Sequence, residues 1–92
     1  SIATFKAAVK IFPNPMVSSA TILVQGEYGQ HYYFNLFDEL GREIETKMPM
    51  QKTTHDQSVL YINCNNISTG NYIYNVLDGN NKVVASGKLI VE

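Results

Sequence analysis

The side chains of this chain best suited to proton transfer, metal binding or nucleophilic attack are His31, His55 with the adjacent Asp56, and the single cysteine, Cys64. Catalysis by such groups needs a nucleophile, a base and an orienting partner within hydrogen-bond reach, and a metal site needs ligands at short, regular spacings. Neither pattern is present in the sequence. His31 and His55 fall in predicted turn regions, where isolated histidines are usually solvated. No His or Lys lies close to Cys64 to favour a thiolate, so it reads as a small apolar residue at a strand end; one cysteine also permits no internal disulfide. Asn66-Ile67-Ser68 matches a glycosylation sequon but reads as turn chemistry, and the methionines read as gap-fillers. The expectation is a protein that is not an enzyme, with no cofactor and no metal.

Aromatic side chains offer a different chemistry. Tyr33 and Phe37 share one parity of a predicted strand and could form a sugar-stacking platform, as in a carbohydrate-binding or adhesion module appended to a secreted enzyme. Tyr32, Tyr72 and Tyr74 read instead as core-edge residues with hydroxyls reaching the rim. The net charge of -1 and the dispersal of the seven Lys and Arg give no basic face for nucleic acid, and no pull toward an anionic membrane. No run approaches the ~20 apolar residues of a membrane-spanning helix.

The elements that position these residues follow from period-two hydrophobicity and turn chemistry. Ser1 to Ala8 reads as a tether. Val9 to Phe12 is a short strand stopped by Pro13, and Pro13-Asn14-Pro15 is a stiff extended corner. Ala20 to Gln25 is the next strand, with Ile22 and Val24 on one face. His31 to Asp38 is the central strand, with Tyr32, Phe34 and Leu36 on one side. Gly41 supplies the positive φ of a tight turn, across which Arg42 is expected to pair with Asp38. Glu43 to Lys47 is a short strand, Met48 to Asp56 an irregular crossing, and Val59 to Asn63 a strand with Leu60 and Ile62 inward. Ile67 is expected to plug the next loop, and Gly70 to serve a turn. Two final strands join across Asp78-Gly79-Asn80-Asn81. About seven such strands without a helical stripe predict an all-β, immunoglobulin-like antiparallel sandwich, with a partly open barrel as the alternative.

Three segments in this order, Val9 to Pro15, Leu36 to Ile44, and the hairpin from Gly70-Asn-Tyr-Ile-Tyr to Gly87-Lys-Leu-Ile-Val91, resemble the C-terminal sorting domain of the type IX secretion system, type A, of Bacteroidetes. The resemblance covers Val9 to Glu92. It implies a small β-sandwich on the C-terminal side of a cargo domain, addressed from periplasm to cell surface or exterior, with a translocon, a shuttle protein and a sortase as partners. The family pattern places Pro13, Asn14 and Pro15 after the first strand, Asp38, Gly41 and Arg42 at the central turn, Gly70 and Tyr72 at the start of the penultimate strand, and Lys88, Leu89 and Val91 in the last. Glu92 stands where a basic residue is common in relatives. A start at Ser1 rather than Met suggests a fragment, or a domain released from a longer polypeptide.

A receptor for many unrelated cargoes reads only the tag, and an edge strand offers it a row of backbone donors and acceptors plus alternating side chains. Gly87, Lys88, Leu89, Ile90, Val91 and Glu92 are therefore the expected recognition residues, with Leu89 and Val91 anchored inside and Lys88 and the chain end outside. An uncovered final strand also makes edge pairing into a dimer plausible.

Overall fold

The computed structural model describes residues 7–27, 29–63, 65 and 67–92. The placements expected for Cys64, for Asn66 and for most of the tether lie outside them. Eight strands occur in chain order: β1 Ala8–Phe12, β2 Ser19–Gln25, β3 Tyr33–Asp38, β4 Glu43–Pro49, β5 Gln51–Lys52, β6 Gln57–Asn63, β7 Gly70–Leu77 and β8 Val83–Val91. They form two four-stranded antiparallel sheets, ordered β1-β2-β6-β5 and β4-β3-β7-β8. This is the immunoglobulin-like arrangement. The eighth strand is the two-residue β5, inside the stretch expected to be irregular: β4 runs on to Pro49, and the chain then changes sheets at the buried Met50, whose N–H bonds the Tyr32 carbonyl.

Alternation decides which side chains form the core. Ile22 and Val24 from β2, Phe34 and Leu36 from β3, Val76 from β7 and Leu89 from β8 are all at most 1% exposed. Each such side chain stabilises the fold by about 1.5–3 kcal/mol. Ile62 is also inside, whereas Leu60 is half-buried at the margin of the same cluster, as is Ile67 beneath its loop.

The two tight hairpins use one device twice. In each, an aspartate carbonyl accepts an N–H three residues on, and its side-chain Oδ1 accepts the N–H groups two and four residues on: Asp38 binds Leu40 and Arg42, and Asp78 binds Asn80 and Lys82. The residue that must take positive φ is Gly41 in one (φ 84) and Asn81 in the other (φ 63), the two residue types that tolerate it most readily. This is the type I turn followed by a left-handed residue that closes three-residue hairpin loops.

Three features differ from the sequence expectations. Gly70 is the first residue of β7, paired with Val91, rather than part of a turn. β1 begins at Ala8, and the Ala7 N–H bonds the Val84 carbonyl, so the expected tether is already tied to the sandwich at its end. The parity of β8 is also broken. Val76 pairs with Ala85 but Leu77 with Val83, so Val84 is an extra residue in a β-bulge. Val84 is consequently buried at 8% exposure, while Val83 is 54% exposed.

Candidate recognition surface at the end of β8

The three sequence segments that carry the resemblance meet at one end of the β4-β3-β7-β8 sheet. Asp38 pairs with Tyr72, and Tyr72 with Leu89. One step further along, Gly70 pairs with Val91, which is bridged in parallel by Met16 just after Pro13-Asn14-Pro15. Tyr72 is buried and its hydroxyl donates to the Ser68 carbonyl, four residues upstream. That bond is the tyrosine corner of immunoglobulin-like sandwiches, which fixes the loop entering the penultimate strand.

Asp38 organises the neighbouring turn. Besides its bonds to the turn N–H groups, its Oδ2 accepts from Arg42 Nε at 2.7 Å. The Arg42 N–H first, and then the Arg42 side chain and the Leu40 N–H, hold the Asp38 carboxyl below the ordinary aspartate value of 3.8. The Arg42 side chain is 77% exposed, so the pair shapes the strand exit rather than forming a closed site.

Of the six residues expected to be read, five on β8 and Glu92 just beyond it, two are buried and a third is half-buried. Leu89 and Val91 are 0% and 2% exposed, and Gly87 lies beneath Tyr74, whose hydroxyl oxygen stands 2.6 Å from where a Cβ would sit. Tyr74 in turn stacks on Phe34 with ring centroids 5.6 Å apart, and burial pushes its phenol pKa up. Lys88, Ile90 and Glu92 are exposed. Lys88 and Ile90, with Glu39, Asn71 and Ile73, border a shallow depression of about 380 Å³ on the outer face, in which Asn71 donates to Glu39 at 3.0 Å.

The open backbone row expected along β8 is largely occupied, which corrects the sequence reading. Asn14 Nδ2 donates to the Lys88 carbonyl and Asn14 Oδ1 accepts from the Ile90 N–H, both at 3.2 Å. The Met16 N–H donates to the Ile90 carbonyl at 2.7 Å, and the Glu92 N–H donates to the Met16 carbonyl at 2.8 Å. Pro13-Asn14-Pro15 is thus a clip rather than only a corner. Asn14 imitates a strand residue with its amide, and Met16, wholly buried, pins the clip to the core. A polar residue between two prolines was the signal in the sequence; its partner, about 75 residues away, was not.

The residues considered for other chemistries lie elsewhere. His31 and His55 are exposed, and Asp56 accepts from Gln25 and Thr54 in its own loop. Among the described residues, no three His, Cys, Asp or Glu side chains converge as metal ligands would. Tyr33 and Phe37 are both half-buried, and Asn35 between them is tied to Asn75 and to the Lys47 N–H.

A family profile described as "Secretion system C-terminal sorting domain" matches residues 10–92. The chain belongs to that family. The sorting domain is the type IX secretion signal, which implies transit toward the cell surface or the extracellular space. Among solved structures, "Crystal structure of dimeric latent PorU from Porphyromonas gingivalis" matches the sorting domain with a TM-score of 0.79 and 23% identity, over 99% of this chain. The chain spans 10% of that protein's length, and the likeness is one of fold. Comparison with curated proteins gave no match.

Proposed function

We propose that the sorting domain acts by being recognised rather than by doing chemistry. An outer-membrane translocon reads it during transit from the periplasm, a shuttle protein passes it on, and a sortase cuts it from a cargo on its N-terminal side. The observation that carries this reading is the division of labour along β8. Leu89 and Val91 fix the strand in the core, while Lys88, Ile90 and Glu92 project from it into solvent at the end where the family segments meet. Side chains held this way are available to one receptor whatever cargo is attached. A similar fold within the much longer latent PorU fits a module joined to a larger protein.

The test is to fuse residues 9–92 to a reporter in a cell with a working type IX system. The wild-type fusion is expected at the surface or in the medium. A Lys88→Glu, Ile90→Asp double variant, which alters only exposed side chains, is expected to accumulate in the periplasm. Periplasmic retention of the wild-type fusion contradicts the proposal.

A further inference from the structure

Among the described residues, the seam along the outer edge of β8 has a gap. Ala7 bonds the Val84 carbonyl at one end, and Asn14 and Met16 hold Lys88, Ile90 and Glu92 at the other. Between these contacts β1 turns away to pair with β2 in the opposite sheet. In an antiparallel ladder, the N–H and C=O of one residue point to the same side, and sides alternate along the strand. The outward bonds at Lys88 and Ile90 therefore place the Ser86 N–H, the Ser86 carbonyl and the Lys88 N–H on the same outer edge. None of the three has a partner among the described residues. Beside Ser86 is a groove of about 500 Å³ lined by Ala7, Val9, Tyr74, Val84 and Ala85, among others.

Asn14 determines how far this gap extends. Its side chain is exposed, and its two bonds to β8 are both 3.2 Å, at the long end of the usual range. Rotation of that side chain alone releases the Lys88 carbonyl and the Ile90 N–H, with Met16 and the backbone left in place. The open row then runs without interruption from the Ser86 N–H to the Ile90 N–H.

We propose that Ser86 to Ile90 is a strand-addition site gated by Asn14, and that its occupant is an extended segment of the receptor with apolar side chains at alternate positions. The inference rests on the sorting-signal reading and names the chemistry by which the domain is held. Backbone hydrogen bonds to the Ser86–Ile90 edge supply a register independent of cargo, and the groove receives the incoming side chain nearest Ser86. A second copy of this chain fits less well. Ala7 and Met16 bracket the free stretch, so two copies laid edge to edge meet each other's bracketing backbone. A bare strand has no such flanks, and five residues span only about 17 Å.

The decisive variant is Ser86→Pro, compared with Ser86→Ala. Proline removes an N–H that faces outward and leaves the β7–β8 ladder intact, which edge strands tolerate; alanine keeps the N–H. With Lys88, Ile90 and Glu92 untouched, the Ser86→Ala reporter is expected to be exported at the wild-type rate. The Ser86→Pro reporter is expected to fall at least tenfold, with its thermal midpoint unchanged. Wild-type export of Ser86→Pro overturns the proposal. Should Ser86→Pro fold poorly, amide exchange in the wild-type domain decides instead. Adding detergent-solubilised type IX translocon is expected to slow the Ser86 and Lys88 amides at least tenfold, and no slowing overturns the site. Asn14→Ala is expected to bind that translocon several-fold faster, and slower binding overturns the gate. Concentration-dependent self-association abolished by Ser86→Pro assigns the edge to a second copy and also overturns the proposal. Retention of the wild-type reporter in the periplasm, by contrast, removes the sorting reading itself.

Discussion

The two edges of the β4-β3-β7-β8 sheet are protected in opposite ways. β4 guards itself. It carries Glu43, Glu45 and Lys47, ends at Pro49, and loses register against β3 on either side of Leu36, with Lys47 at a φ of 50. Charge, proline and bulges are built-in obstacles to edge pairing. β8 is longer, at nine residues, is regular beyond Val84 and has Lys88 as its one charged residue. Its protection is lent by another part of the chain, the Pro13–Met16 clip. An obstacle built into a strand is permanent, whereas one supplied by a separate side chain is removable. That difference is what the strand-addition proposal requires of β8.

The sharpest way to break this contrast is to loosen each edge from the core. Leu89→Ala should cost about 2–5 kcal/mol in denaturant unfolding, since Leu89 is wholly buried. Ile44→Ala in β4, only half-buried, should cost at most about 2 kcal/mol. Equal losses at the two positions would mean that β8 is no better anchored than β4.

A second comparison uses glycine. Gly87→Ala places a Cβ 2.6 Å from the Tyr74 hydroxyl oxygen and should destabilise by about 1–3 kcal/mol, as overpacking does; much of this should return in a Tyr74→Ala background. Gly41→Ala, at the turn into β4, has nothing within 4 Å but a φ of +84. Its cost of about 1–2 kcal/mol is one of backbone conformation, so Gly41→Asn should recover part of it. Thermal unfolding of the four variants separates steric from conformational demand.

The smallest effect concerns pH. The folded pKa of Asp38 lies below its ordinary value of 3.8, so its contribution is fully present above that value and is lost as pH falls through the lower folded pKa. The gap in melting temperature between wild type and Asp38→Asn should be constant from neutral pH to about pH 5 and should narrow as pH drops below 3.8. A constant gap down to pH 2 would show that the carboxylate of this turn makes no charge-dependent contribution.

Much of this architecture is legible in the sequence. Local rules predicted β2 and β3, the Asp38–Arg42 turn with Gly41, the Asp78 hairpin, and the burial of Leu89 and Val91, because each depends on residues a few positions apart. What escaped was non-local. The covering of Ile90 by Asn14 joins positions 76 apart, and no periodicity predicts which asparagine reaches across. The Val84 bulge was hidden because Val83, Val84 and Ala85 are all apolar, so hydrophobicity could not reveal a change of face. Gly87 is glycine because of Tyr74 on the adjacent strand, a requirement that becomes visible only once the two are in register.

The Asn14 and Met16 contacts with β8 also tie the display of this strand to the history of the chain. They are among the most sequence-distant in the molecule, and such loops close against the largest entropic resistance. A chain that has not yet brought these distant segments together presents β8 unclasped and unplaced. The Met16 seam is therefore a whole-chain event, since β8 is clasped only once segments from opposite ends of the sequence have met.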